Sequence, residues 1–134
     1  MTAIASKHAA SGEYLVLSEL LKCSQEAYLA QGAVQPDWDI LCIDNKKIIR
    51  IQVKTIDWPN QKSVNVKDDS EYDYLVVVLL NREGESSGIY VFSKEQFEPM
   101  LSKRNKNRKD KKRTVNFNND AKEKFKAFYK KWWF

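Results

Sequence analysis

Polar and apolar residues alternate most regularly in residues 39–55, and the rest of the chain is best read outward from there. Ile49, Ile51 and Val53 fall on one face of an extended segment, and Arg50, Gln52 and Lys54 on the other. The first set is β-branched and suited to burial. The second is a polar stripe that a covered strand does not carry without a reason. Upstream, Ile40-Leu41-Cys42-Ile43 forms a second apolar run, and Asp44-Asn45-Lys46-Lys47 between the two supplies turn chemistry. A two-residue turn at Asn45-Lys46, or a symmetric four-residue loop, pairs Ile43 with Ile48 and sets Asp39 opposite Gln52. Directly opposed Cβ atoms lie about 4.5–5.5 Å apart. Lys54 follows on the same face, so a carboxylate, an amide oxygen and an ammonium converge at one end of the hairpin. A three-residue loop would flip the faces and abolish this convergence.

The periodicity changes on either side. Glu13, Val16, Leu17 and Leu20 share one face of a predicted helix over 14–22, which Ala9 and Ala10 can extend backwards. Glu13 heads the apolar stripe; an acid in the first turn is also simply favoured by the helix dipole. Glu19 and Glu26 read as ordinary exposed acids. Residues 26–30 fit a short first strand, or a continuation of the helix. Residues 31–37 form a loop in which Pro36 sets the strand entry. Residues 55–71 are polar and interrupted, long enough to cross to a parallel neighbour, with no clear helix. Leu75 to Leu80 is a continuous apolar run, as a central strand covered on both faces requires. After a loop over 81–88, Ile89 to Phe92 is the next strand. Ser93 and Gln96 form a capping box for a short helix over 94–101, with Pro99 shortening or kinking it. Thr114 to Phe117 reads as a short strand. Asn119 or Asp120 then caps a last helix whose Phe125, Phe128, Tyr129 and Trp132 recur at helical spacing. That stripe is expected to dock on the core, with Trp133 and Phe134 equally suited to a second subunit.

Charge divides the chain unevenly. Residues 103–134 hold 13 Lys or Arg against three acids, a net +10, whereas the first 102 hold 10 basic and 15 acidic residues, a net −5. Lys103, Arg104, Lys106, Arg108, Lys109, Lys111, Lys112 and Arg113 crowd one exposed segment suited to phosphate. The expected organisation is a core over 1–102, with the basic segment and an aromatic helix of 103–134 packed on the same single domain. Cys23 and Cys42 form no metal motif and read as free, buried thiols of a reducing, cytoplasmic compartment. No apolar run reaches the roughly 20 residues that span a bilayer. His8 is the only histidine, which argues against Ser-His or Cys-His nucleophiles and histidine metal clusters, and the four glycines make no phosphate loop. What remains is oxygen ligands for a hard cation, beside a lysine that can orient water or stabilise phosphorane charge.

Gly12-Glu13 on a first helix, Asp39 at the opening of a strand, and Ile51-Gln52-Val53-Lys54-Thr55 closing the hairpin resemble the PD-(D/E)XK nuclease superfamily. The likeness runs from about Ser11 to Phe92. It is nearest to the Holliday-junction-resolvase-like branch and to homing-endonuclease-like members with Gln-x-Lys in the last motif. The resemblance implies an α/β, restriction-endonuclease-like mixed β-sheet flanked by helices, with an αβββ(α)β core. It implies a Mg²⁺-dependent DNA endonuclease, with Mn²⁺ as substitute, working as a homodimer or higher assembly. By it Asp39 is the principal metal ligand, Glu13 assists, Gln52 stands in the usual acidic position, and Lys54 is the catalytic lysine. Pro36-Asp37 spells the motif's name, but the strand-edge position favours Asp39. Three other readings stay open: a catalytically inactive DNA-binding member, which the neutral Gln52 also fits; a structure-specific resolvase that cuts branched DNA and ignores linear duplex; and a protein-interaction domain of immunity or antitoxin type.

Overall fold

The computed structural model describes residues 3–30, 37–81 and 87–134, with side chains from residue 7 onward. Pro36 and most of the loops expected over 31–37 and 81–88 lie outside the described residues. A long helix, α1 (Ala3–Lys22), opens the fold, followed by β1 (Glu26–Leu29), β2 (Ile40–Asp44) and β3 (Lys47–Asp57). The helix stops where Ser24 takes a left-handed backbone (φ 61°), with Gln25 N–H bonding the Leu20 carbonyl and Ser24 N–H that of Leu21. This crossed pair closes the last turn and frees residues 26–29 for a strand.

Asn45 and Lys46 both have positive φ, the type I′ geometry that matches strand twist, so the turn is the two-residue one. Ile43 accordingly pairs with Ile48 and Ile40 with Ile51. β3 then runs parallel to β5 (Tyr74–Leu80), and β5 antiparallel to β6 (Gly88–Ser93), giving a five-stranded mixed sheet in the order β1-β2-β3-β5-β6. Residues 75–80 are all buried, as the unbroken apolar run requires.

The crossover from β3 to β5 holds no helix. It contains β4 (Ser63–Lys67), which pairs antiparallel with β7 (Lys112–Asn116) as a separate two-stranded ribbon. Val64 and Val66 face inward while Ser63, Asn65 and Lys67 face out, so the alternation was in the sequence although its partner lay far along the chain.

Each face of the main sheet has its own core. Val16 and Leu20 of α1 cover Ile40, Ile51, Val76, Val78 and Val91. On the other face Val64, Val66, Phe97, Val115, Phe117 and Phe125 cover Leu75, Val77 and Phe92. Ser93 and Gln96 make the expected capping box, opening α2 (Lys94–Phe97), which tightens into a 3₁₀ turn at Glu98–Met100.

The last helix is a correction. Residues 121–128 form two single turns, α3 (Ala121–Lys124) and a 3₁₀ turn (Lys126–Phe128), with Asp120 making no side-chain cap. The aromatic spacing reflects docking, not helical repetition: Phe125 stacks on Phe117 with ring centres 4.5 Å apart, Phe128 lies 4.5 Å from Phe92, and Trp133 lies 4.7 Å from Tyr74. Lys130 ties this tail to Glu19 on α1 at 3.3 Å, so Glu19 is not the plain surface acid expected. Both cysteines are free, but only Cys42 is buried; Cys23 is exposed at the helix end. Among the described residues no helix is long and apolar enough to cross a membrane.

Candidate active site

α1 can approach β3 closely because residue 12 is glycine; a methyl group there would collide with the Thr55 hydroxyl. The approach brings Glu13, one residue on, to the end of the hairpin. Glu13 is half-buried, and that burial raises its carboxyl pKa, with the neighbouring Asp39 carboxylate raising it further.

Asp39 lies just before β2, where the regular ladder has ended. Its N–H donates to the Ile51 carbonyl at 2.8 Å, and its carbonyl accepts from Ala30 N–H at 2.8 Å. It is therefore not a plain cross-strand partner of Gln52. Its carboxylate instead accepts from the Val53 N–H at 2.7 Å, which pins it on the β3 backbone between Gln52 and Lys54. Burial raises the Asp39 pKa, offset in part by the Val53 bond and by Lys54. The Asp37 carboxylate accepts from Glu71 N–H at 3.2 Å, and the residue lines the same cleft as Gln52 and Lys54.

Gln52 and Lys54 line a cleft of about 390 Å³ whose other wall includes Asn65, Lys67 and Lys112 of the ribbon. Glu13 and Asp39 are not part of that lining. Gln52 is 8% exposed, and its Oε1 has no hydrogen-bond partner. Leaving a buried acceptor unpaired costs about 1–3 kcal/mol, so such an atom is unusual in a site with only a structural role. Lys54 makes no hydrogen bond or ion pair among the described residues. Its pKa is lowered, first by burial, then partly restored by Asp39 and lowered again by Lys112.

The oxygen donors at this end of the hairpin are two carboxylates that burial makes reluctant to ionise, Glu13 further so beside Asp39, and one amide oxygen lacking a donor. A hard divalent cation relieves all three, and an all-oxygen set suits Mg²⁺. Among the described residues no three His, Cys, Asp or Glu gather where they could hold a metal ion.

The basic segment divides into paired and open charges. Arg104 bonds Asp68 at 3.0 Å, Arg108 bonds Asp110 at 2.6 Å, and Arg113 bonds Glu98 at 2.9 Å with its side chain only 14% exposed. Lys103, Lys106, Lys109, Lys111 and Lys112 are exposed. Sequence reasoning missed Asn65 and Lys67 in the cleft wall; the Val64–Val66 alternation was the signal that placed them.

No protein-family model matches the chain, and no curated protein matches it in sequence. Solved structures similar in shape include two enzymes. One is a bacterial homing endonuclease, I-Ssp6803I, at 16% identity and TM-score 0.52 over 77% of this chain and 78% of that one. The other is Hjc, a Holliday junction resolvase from Archaeoglobus fulgidus, an archaeal hyperthermophile, at 18% identity and TM-score 0.50 over 81% and 83%. Likeness at this identity is one of fold: the mixed sheet with α1 on one face is the restriction-endonuclease-like fold expected from the sequence.

Proposed function

We propose that this chain is a Mg²⁺-dependent DNA endonuclease that hydrolyses phosphodiester bonds at the Asp39–Gln52–Lys54 end of the hairpin. The observation that carries the reading is the unpartnered Gln52 Oε1, buried beside Lys54 and near two carboxylates whose ionisation is disfavoured. The names of the two similar structures, an endonuclease and a junction resolvase, support DNA as the substrate.

Asp39, Gln52 and Glu13 would hold the cation. When bound, it supplies charge neutralisation at the phosphoryl oxygens and acidifies a water. Asp39 is kept in place by the Val53 N–H, so it need not reorganise during the reaction. Lys54, with no competing partner, donates to a phosphoryl oxygen and orients the attacking water. Water oxygen bonds to phosphorus and releases a proton to solvent, the ester P–O bond breaks, and the leaving oxygen takes up a proton from solvent. The open lysines of the basic segment hold the backbone, adding affinity more than sequence choice; the paired arginines Arg104, Arg108 and Arg113 shape that segment and engage phosphate where their acids release them. Cutting both strands of a duplex calls for two sites, hence a homodimer or higher assembly, checked by light scattering with and without DNA.

The test is cleavage of linear, nicked, branched and supercoiled DNA with Mg²⁺ or Mn²⁺, run beside Asp39→Ala. Metal-dependent cutting that the variant lacks is the expected outcome. DNA bound but uncut by the wild type would replace this reading with a non-catalytic DNA-binding one. Neither binding nor cutting would remove DNA as the substrate.

A further inference from the structure

The ribbon that walls the cleft has an ordered polar face. β4 and β7 pair as Ser63–Asn116, Asn65–Thr114 and Lys67–Lys112. Val64, Val66 and Val115 face the core, so these six residues form the opposite face, all polar and none acidic. Two cross-strand bonds fix its amides. Thr114 Oγ1 donates to Asn65 Oδ1 at 2.7 Å, and Ser63 Oγ donates to Asn116 Oδ1 at 3.3 Å. Each hydroxyl occupies an amide oxygen, leaving the NH₂ groups of Asn65 and Asn116 as the free donors. The third rung places two lysines directly opposite each other, which destabilises an antiparallel pair unless an anion lies between them. Neither lysine makes an ion pair among the described residues; the adjacent Asp68 is held by Arg104 and Arg113. Lys67 and Lys112 line the same cleft as Gln52 and Lys54.

We propose that this face lies in the major groove of duplex DNA and reads base edges, with the Lys67–Lys112 rung on the phosphate backbone beside the cleft. The inference rests on the nuclease reading of that cleft. The major groove, about 12 Å wide, admits a two-stranded ribbon. Residues on one face of a strand recur every ~6.8 Å, twice the ~3.4 Å rise of stacked base pairs, so successive rungs meet alternate pairs. Asn65 and Asn116 stand on adjacent rungs and opposite strands. Their NH₂ groups suit the major-groove acceptors: purine N7, guanine O6 and thymine O4. The lysine rung continues into the basic segment, so the positive charge of this face is gathered at that end of the ribbon.

The experiment selects binders from duplexes with a randomised central segment, in EDTA so that nothing is cut, using the full chain. Affinity for the winning duplex and a scrambled one is then titrated by fluorescence anisotropy at several salt concentrations. The wild type should prefer the winner by about tenfold or more. Asn65→Ala with Asn116→Ala should bring that ratio close to one, while affinity for scrambled DNA and its salt slope stay as they were. Thr114→Val keeps Asn65 and removes only its orienting hydroxyl; it should weaken the preference at one base pair, and it serves if the double variant melts early. Lys67→Ala with Lys112→Ala should lower both affinities equally and flatten the salt slope by about two. An unchanged preference in the asparagine variants, or a wild type that binds duplex without enriching any sequence, overturns the groove reading and leaves the nuclease reading standing. No binding to any duplex overturns the groove reading, and metal-dependent cutting of branched DNA then decides whether the nuclease reading stands.

Discussion

Arg50, Gln52 and Lys54 stand two residues apart along one side of β3, and their surroundings differ sharply. Arg50 is met on every side. Its backbone N–H donates to Asp73 Oδ2 at 2.8 Å, its guanidinium reaches the same carboxylate at 3.3 and 3.4 Å, and Glu71 at 3.4 Å. The Asp73 pKa, which burial alone would raise, is lowered by those bonds. Two residues on, Gln52 Oε1 has no partner, and Lys54 is half-buried without one among the described residues. A charge that serves the fold is matched by its neighbours. Groups held ready for a substrate are left unmatched, and the fold carries the cost. The distinction turns on partners and not on residue type: Arg50 and Lys54 are both cations on the same stripe.

The largest effect that separates the two ends is on cleavage. Lys54→Ala should lower it by about a hundredfold or more, the scale of losing a group that stabilises charge in the transition state, and leave the melting temperature within about one degree. Equal loss of cleavage and of folded protein would make Lys54 a structural residue like Arg50.

The same contrast applies along the basic segment. Replacing Lys103, Lys106, Lys109 and Lys111 with alanine should weaken DNA binding and reduce the salt slope by about 0.9 for each lysine that contacts phosphate. Arg113→Ala should instead lower stability first, since it removes a mostly buried guanidinium that bonds Glu98 at 2.9 Å and the Ser102 carbonyl at 2.8 Å. A salt slope unmoved by the four lysines removes them from the interface.

How much of this was visible in the sequence depends on the range of the interaction. The type I′ hairpin, the buried run over 75–80 and the Ser93–Gln96 capping box are written in adjacent residues, and each forms where expected. The ribbon was missed because β4 finds its partner more than forty residues later, and a five-residue alternation alone looks like a loop. The pairing of Arg50 was hidden for a similar reason: Glu71 and Asp73 arrive only through the parallel β3–β5 contact. Glu13, Asp39, Gln52 and Lys54 could be placed near one another because three of them lie on one hairpin. That Asp39 bonds the Val53 N–H and does not face Gln52 depends on where the ladder ends, which residue patterns do not encode.

At the paired end the effect of a single change is on stability and is modest. Arg50→Ala should cost roughly 1 kcal/mol, a value held down because more than a third of the Arg50 and Asp73 side chains is open to solvent. Thermal melting would show it as a drop of about 2–6 °C. Cleavage per folded molecule should be unchanged. A large loss of cleavage there would extend the site to Arg50 and blur the contrast.

The smallest effect has opposite signs at the two ends, which makes it the most discriminating. Stability rises with pH wherever the unfolded chain binds more protons than the folded one. Asp73 has a lowered folded pKa, so its contribution is present above the unfolded carboxylate value and is lost as pH falls through the folded one. Glu13 has a raised folded pKa, so its protonated form is the stable one. Its contribution is full below the unfolded value, about 4.3, and is lost as pH rises through the folded one. In metal-free buffer at neutral pH, Glu13→Gln should therefore melt slightly above the wild type, with the difference closing as pH falls toward that value. Asp73→Asn should melt slightly below the wild type at neutral pH, its deficit shrinking in acid. Adding Mg²⁺ should reverse the order for Glu13→Gln, because the wild type alone gains the full set of ligands, and leave Asp73→Asn where it was. If Glu13→Gln melts lower than the wild type in metal-free buffer, Glu13 is matched as Arg50 is, and the division of β3 into a satisfied end and a poised end fails.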